Sequence, residues 1–536
     1  MAETKESSKP AAVVAAPAEL RLIAVIDVGA SAIRMDVAEA GAGGDVHILE
    51  SLQKPCNLGR DTFAEGRIEP RTVEECVGIL QGFRTKLNEY GLVHDNQIRA
   101  VATSAVREAD NRDQFLDRIF VATNIVVEPI EEPEVHRLTY MALHQSLEQE
   151  PSLKQGDVLV VEVGGGGTKV LLIQDGRVTC SDTFRLGSLR VREALDTSNT
   201  SEAHTREVID QQIQRTVEQI RQTVPVSRIP CLIAVIGDFP VSILSLIPGV
   251  REHANDQSVK VSLRRLARAD RIMSLPIDEL VRKYNVSYPD AEAAGPALLS
   301  YLRVARAFRV QDVILLKTDL RQGLLLNEAA RGTWTERFAD QVMHSALALG
   351  AKYAFDAQHA THVADLAVRL FRELKDEHHL DQRYEILLRA AALLHEIGTF
   401  VSSRSHHKHS MYLIANSELF GLTTRETLLI ALVARYHRRA QPLPTHEGYA
   451  TLDRPGRIIV AKLAAILRVA DALDRVHAQR IREIRFARDK DQLVILTDTV
   501  DDVTLEALAL EQKGDMFASV YGMRVVLRSA SLTGDA

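Results

Sequence analysis

Residues 158–173 read VLVVEVGGGGTKVLLI. A β-branched apolar run carries Glu162 near its end, four glycines follow, and a second apolar run leaves them, which is the pattern of strand, tight turn and strand. The same arrangement stands near the N-terminus. There residues 22–35 read LIAVIDVGASAIRM, with Asp27 in the place of Glu162 and the small residues Gly29, Ala30 and Ser31 at the turn. An acid at a strand end followed by a turn of small residues therefore occurs twice, as a repeat of pattern and not of identity. Two related α/β lobes facing one cleft account for it. Glycines let backbone N–H groups converge on phosphate oxygens with no Cβ in the way. Carboxylates suit Mg2+, a hard cation that prefers oxygen. The matched pair predicts a nucleotide or phosphate cleft.

Working outward, residues 33–39, 98–103, 231–236 and 313–316 read as further strands, and residues 72–90 and 111–120 as helices. This alternation is that of an α/β half. From about Thr333 the character changes: helical patterns dominate through Gln479, for example over 360–374, 385–396 and 457–474, with many histidines. Alternating segments return after residue 491. The expected organisation is a disordered tail (1–20), a first lobe (21–150), a second lobe (151–330), a helical domain (331–490) and a small β-containing C-terminal segment (491–536). Trp334, at the junction of the halves, is assigned to packing.

Composition narrows the function classes. The 536 residues are 46% hydrophobic and 26% charged, the balance of a soluble chain with material for large cores. A net charge of −7 argues against wholesale nucleic-acid binding, so an anionic ligand needs a locally positive pocket. Cys56, Cys76, Cys180 and Cys231 are far apart, which speaks against a metal cluster or a disulfide framework and for a reducing compartment. No apolar run approaches a membrane span. The Ala/Pro-rich start, Met1 to about Glu19, reads as a tail, with a signal peptide the alternative, and the cytoplasm is the simplest location.

Beyond the turns, the segments VATSAVREADNRDQF (101–115), IEEPEVHRL (130–138) and FRLGSLRVRE (184–193) follow in order. Together with the two turn motifs they resemble the successive signatures of the exopolyphosphatase/guanosine pentaphosphate phosphohydrolase (Ppx/GppA) family, along residues 22–195. The resemblance implies duplicated actin-like (ribonuclease H-like) lobes. It also implies Mg2+-assisted hydrolysis of terminal phosphate from polyphosphate or a guanosine pentaphosphate-like nucleotide. Carried over by residue, Asp27 and Glu162 match the acidic positions that help hold metal and water. Gly29, Ser31, Gly164, Gly165 and Gly166 match the phosphate loops, with Thr168 and Lys169 beside them, and Arg34 and Arg107 match basic positions able to pair with phosphate.

The departures fall at the chemistry. Anchored on Arg137-Leu138, the family's general-base glutamate is Val135, which cannot abstract a proton. Glu134 stands adjacent and is the candidate replacement. The glutamate that ends the second turn motif is Lys169, its serine is Gly167, a later turn motif reads Gly237-Asp238-Phe239-Pro240, and another reads LKTDLRQG at 316–323. Substitutions at several catalytic positions leave two readings: a phosphohydrolase, or a relative that binds polyphosphate or (p)ppGpp without hydrolysis.

In the helical half, His359, His395 with its neighbour Glu396, His409, His437 and Asp471 come from separate helical segments. Imidazoles and carboxylates so distributed are what a di-metal phosphohydrolase site needs. Their order resembles the HD superfamily, and HHKHS and RYHRR resemble the C-terminal extension of long Ppx/GppA proteins. The Asp of the HD pair is here Glu396, and Thr399 replaces the lysine that often follows. Lys408, Arg435, Arg438, Arg439 and Arg468 are candidate contacts for a long polyanion. The family resemblance further implies a possible homodimer.

Overall fold

The structure, a computed structural model, describes residues 20–529 apart from 42–44, 95–96, 150–156, 191–201, 227–228, 230, 238–246, 248–249, 251–256, 269–274, 287, 331–335, 439 and 498–501. The expected N-terminal tail, Trp334, Arg439 and the segment Asp238 to Pro240 therefore lie outside the described residues.

The first sheet has the order β3-β2-β1-β4-β5, built from β1 (Arg21–Val28), β2 (Ala32–Ala40), β3 (Val46–Pro55), β4 (Ile98–Ala102) and β5 (Val127–Pro129). The second has the order β10-β11-β9-β6-β7-β8, built from β6 (Val158–Val163), β7 (Thr168–Gln174), β8 (Arg177–Phe184), β9 (Cys231–Val235), β10 (Ser258–Ser262) and β11 (Asp312–Leu316). In each, three antiparallel strands lead and parallel strands add beside the first of them: β1 pairs antiparallel with β2 and parallel with β4, and β6 does the same with β7 and β9. The repeat seen in the turns is thus a repeat of topology.

The registers coincide as well. Asp27 lies opposite Arg34 across the β1–β2 pair, and Glu162 lies opposite Lys169 across the β6–β7 pair. Oppositely charged residues facing each other across antiparallel strands stabilise the pairing by about 0.2–1 kcal/mol. Each lobe therefore presents an acid and a base side by side at its turn.

Two helices bind the lobes reciprocally. The helix Glu132–Gln149 follows the first sheet, yet Tyr140 and Leu143 join the core of the second. The helix Leu320–Ala329 ends the second lobe, yet Leu320, Leu324 and Leu325 pack with Ile23 and Val25 of β1. They touch at Gly323, where an added Cβ would lie 2.2 Å from the Leu138 carbonyl oxygen. Gly323→Ala is therefore expected to destabilise the protein by about 1–3 kcal/mol through overpacking, outweighing the gain in helix propensity. A lowered thermal unfolding midpoint checks this, and an unchanged or raised one contradicts it.

The helical half occupies Glu336–Lys352, Ala357–Glu373, Gln382–Leu394, His406–Ala415, Thr424–Arg435 and Arg454–Leu473. It shares one continuous apolar cluster with a face of the second sheet: Val158, Val160 and Ile314 belong with Phe338, Val342 and Ala346. The C-terminal piece is a three-stranded sheet, β12 (Arg485–Asp489), β13 (Gln492–Thr497) and β14 (Arg524–Ser529), with helices Thr504–Lys513 and Asp515–Tyr521 between the last two strands. Because β12 pairs with β13, this unit begins ahead of the expected boundary at 491, and it is partly helical. Among the described residues no helix is long and apolar enough to cross a membrane.

Candidate active site

Both turns are closed by the same backbone bond: the Gly29 N–H donates to the Ala32 carbonyl at 3.1 Å, and the Gly164 N–H to the Gly167 carbonyl at 2.9 Å. None of these glycines has a positive φ; what they supply is close approach. A Cβ on Gly165 would lie 3.1 Å from the Cβ of Ala30 in the opposite turn, and one on Gly166 would lie 2.3 Å from Ser104 Oγ. The two turns thus meet across the lobes, and the space between them is a single cavity of about 340 Å³.

Asp27, Gly29, Ser31 and Arg34 line this cavity from the first lobe, and Glu162, Gly164, Gly165, Gly166 and Lys169 from the second, with Arg107 beside them. These are the residues that the turn motifs single out. Thr168 is a correction. It is fully buried, and its hydroxyl donates to the Leu186 carbonyl at 2.5 Å, so it holds the turn and does not face the cavity. Arg185 lines the cavity and was missed, because nothing in the sequence distinguishes it from a surface arginine.

Glu134 is also corrected. It lies in a different cavity, of about 570 Å³, between Arg99 and Arg137, each 3.7 Å away. Burial raises its carboxyl above the ordinary range, against the pull of those two arginines. The cause is helix phase. In a helix, residues three apart share a face, so Glu132 and Val135 face the phosphate cavity while Glu134 and Arg137 face away. The acid of this helix that reaches the cavity is Glu132, whose carboxylate accepts from Arg107 Nη2 at 2.9 Å. Arg107 is fixed at its other nitrogen by the Ile130 carbonyl, also at 2.9 Å.

The local charge is set by short pairings. Lys169 Nζ lies 2.8 Å from Glu162 Oε1, Thr139 Oγ1 donates to Glu162 Oε2 at 3.4 Å, and Arg34 lies 3.7 Å from Asp27. Both carboxylates expected to hold Mg2+ therefore already face a cation of the chain. Lys169 in particular supplies a positive charge where a divalent ion would have to bind Glu162. This donor set does not fit Mg2+ well, since the ion wants oxygen ligands free to coordinate it.

His136, one turn along from Glu132, is buried and shares a hydrogen bond of 2.8 Å with Thr183 Oγ1. Burial, with Lys169 and Arg107 adding to it, holds its imidazole down to about 3. The unfolded chain takes up a proton near pH 6.5 and the folded chain does not, so stability falls as pH drops from about 6.5 toward about 3. Between about pH 7 and about pH 5 this residue is expected to cost about 2 kcal/mol of folding stability. Denaturant titrations of the native protein and His136→Gln at both pH values check this. Equal pH dependence in the two contradicts it.

The helical half holds a second polar cluster. His359, His395 and Asp471 form one group whose potential ligand atoms lie within 4.8 Å of one another, His359, Glu396 and His477 a second, and Glu396, His406 and His437 a third. The chain positions it through Gly398, where a Cβ would lie 2.2 Å from the His406 carbonyl oxygen, and through Ser410, whose hydroxyl donates to the His395 carbonyl at 2.7 Å. His409 is the correction here: it stands one turn beyond His406, and it is His406 that joins the cluster. His477 was missed, being in a segment without periodic signal. Arg468 is also reassigned. It is fully buried, donating to the Tyr436 and Ala440 carbonyls and paired with Asp515, so it is structural and offers no surface to a polyanion.

A model of the Ppx/GppA phosphatase family matches residues 37–331, and a model of Ppx/GppA phosphatase domain III matches residues 343–513. The chain is 22% identical over 448 residues to the guanosine-5'-triphosphate,3'-diphosphate pyrophosphatase of Photobacterium profundum, covering 83% of this chain and 86% of the relative. It is 23% identical over 456 residues to the enzyme of that name from Aeromonas hydrophila, covering 84% and 86%. Among solved structures, an exopolyphosphatase from Cytophaga hutchinsonii matches with a TM-score of 0.51 at 19% identity, over 58% of this chain and 98% of that one. An exopolyphosphatase-like protein matches with a TM-score of 0.51 at 22% identity, over 58% and 99%. These two structures carry the likeness of the fold.

Proposed function

The chain belongs to the Ppx/GppA phosphatase family, and from that premise we propose that its inter-lobe cavity binds a chain of phosphates, inorganic polyphosphate or a guanosine pentaphosphate-like nucleotide, and hydrolyses the terminal anhydride. The observation that carries this is the meeting of two glycine turns around one cavity lined by Arg34, Arg107, Lys169 and Arg185. Relatives named as guanosine-5'-triphosphate,3'-diphosphate pyrophosphatases and a structural neighbour named as an exopolyphosphatase support the substrate class.

Phosphoryl transfer asks little covalent chemistry of a protein; positioning and charge stabilisation dominate. Backbone N–H groups of the two turns and the four cations hold the phosphates, guanidinium groups in bidentate fashion. Glu132 takes the proton from the attacking water as general base. Lys169 stands in for a divalent ion beside Glu162.

Two observations favour a second reading, in which the cavity binds phosphates without turnover: Val135 lines the cavity in the place of the base, and Lys169 neutralises Glu162. Phosphate release and calorimetric binding, measured on one sample of native protein and of Glu162→Ala with polyphosphate and with guanosine pentaphosphate, separate the two. Turnover lost in Glu162→Ala supports hydrolysis. Tight binding with no phosphate released by the native protein supports the second reading, and absence of both overturns the two together.

A further inference from the structure

We propose that the cavity of about 570 Å³ between the first lobe and the helical half is a binding site for a free α-amino acid with a large apolar side chain, its carboxylate on Arg137 and its ammonium on Glu134. Both halves build the walls: Ala100 comes from β4, Glu134 and Arg137 from the helix Glu132–Gln149, Leu387 from the helix Gln382–Leu394 and Leu429 from the helix Thr424–Arg435. The helix Glu132–Gln149 turns its other face to the phosphate cavity, so the two cavities lie back to back.

Several ionic groups lining this cavity are closely engaged by the chain itself. Arg99 donates to Glu128, Arg425 donates to Asp453 at 2.7 Å, and Glu426 accepts from the Thr423 N–H at 2.9 Å and from its hydroxyl at 3.0 Å. Glu134 and Arg137 differ. The cations facing Glu134 are Arg99 and Arg137, each at 3.7 Å, beyond hydrogen-bond distance, and among the described residues no hydrogen bond reaches its carboxylate. Arg137 is only 8% exposed, and its Nη1 donates to the neutral Asn327 Oδ1 at 2.8 Å. Burial outweighs the attraction of the surrounding opposite charges in both groups, raising the Glu134 carboxyl and lowering the Arg137 guanidinium. An acid and a guanidinium one helical turn apart, drawn together but not bonded, are costly as they stand.

This pair selects the ligand. An anion alone would answer Arg137 and be repelled by Glu134, and a cation alone would do the reverse. An α-amino acid carries both charges on one carbon and answers both, through charge-assisted hydrogen bonds of about 2.7–2.9 Å. The guanidinium fork suits the carboxylate, and the acid suits the ammonium. The rest of the cavity sets the side chain. Ala100, Ile125, Leu387 and Leu429 are almost wholly buried and form apolar walls. The volume falls in the range of small-molecule sites, about 300–1,000 Å³, and exceeds what the charged head needs, so the side chain is large and apolar. A phosphate chain does not fit here. Gly421 is the only glycine among the described lining residues, so the paired glycine turns of the phosphate cavity are missing.

The test uses the full chain, screened against the proteinogenic amino acids one at a time by thermal shift and titrated by calorimetry with those that raise the melting temperature. At least one amino acid with a large apolar side chain is expected to bind saturably, with a Kd below about 1 mM. Its N-acetyl derivative, which lacks the ammonium, and its amide, which lacks the carboxylate, should each bind at least about tenfold more weakly to the native protein. Glu134→Gln keeps the shape of the side chain, and Arg137→Gln shortens it; each should lose at least about tenfold in affinity for the free amino acid. The two derivatives test the same contacts on native protein, whatever a variant does to folding. Native protein that binds no amino acid saturably overturns the proposal. So does an N-acetyl derivative or an amide that binds as tightly as the free amino acid, or an affinity unchanged in Glu134→Gln.

Discussion

Glu132→Gln is expected to slow terminal phosphate release by about 10²–10⁴-fold, the range a general base contributes, while leaving polyphosphate affinity within about threefold. The amide keeps the shape of the side chain and its contact with Arg107 but cannot accept the proton of water. Glu134→Gln, two residues on, should change the rate by less than about tenfold, because its carboxylate faces Arg99 and Arg137 in the other cavity. Stopped-assay phosphate release over a range of substrate concentrations separates kcat from KM for both. A larger loss in Glu134→Gln than in Glu132→Gln would return the role of base to Glu134 and remove the helix-phase argument.

Lys169→Glu is the second substitution with a large consequence. The native cavity answers Glu162 with an ammonium 2.8 Å away. The variant sets two carboxylates on facing positions of β6 and β7, removes one positive charge and adds one negative charge. Without divalent cations the variant is expected to bind polyphosphate at least about tenfold more weakly, the cost of one charge-assisted contact. Millimolar Mg2+ should restore much of this, since paired carboxylates are its preferred ligands. The native protein should show little Mg2+ dependence of binding. Calorimetry with polyphosphate in chelator and in Mg2+ reads all four values. A native affinity that itself depends strongly on Mg2+ contradicts the assignment of Lys169 as the resident cation.

The duplicated lobes were legible in the sequence because buried strands ending in an acid and a small-residue turn leave an unambiguous mark, and they do so twice. The edge strand β3 left none. Its residues are mostly exposed and do not form an apolar run, so hydrophobic patterning passes over it. The helices Glu202–Thr223 and Tyr288–Ala307 were passed over as well, with polar residues interrupting the first and a proline inside the second. The meaning of Lys169 needed register. Compared with family motifs it is a lost glutamate, whereas in the sheet it is the cross-strand partner of Glu162, as Arg34 is of Asp27. The seven-residue spacing of both pairs was already present in the sequence, and it becomes informative only once the turn length is known. Glu132 and His406 were passed over for a related reason. Each was displaced by a neighbour of similar chemistry, Glu134 and His409, and only the phase of a helix decides between them.

The claim on which the rest depends is that one phosphate chain is held by both lobes at once. Its most direct measurement is the equilibrium affinity of inorganic polyphosphate for the native protein, for Arg34→Gln in the first lobe and for Arg185→Gln in the second, at one fixed salt concentration. Each substitution is predicted to weaken binding by about tenfold or more, as loss of a charge-assisted contact does, and Arg425→Gln in the separate cavity is predicted to leave it unchanged. Affinity that survives both cleft substitutions and falls with Arg425→Gln would contradict the account.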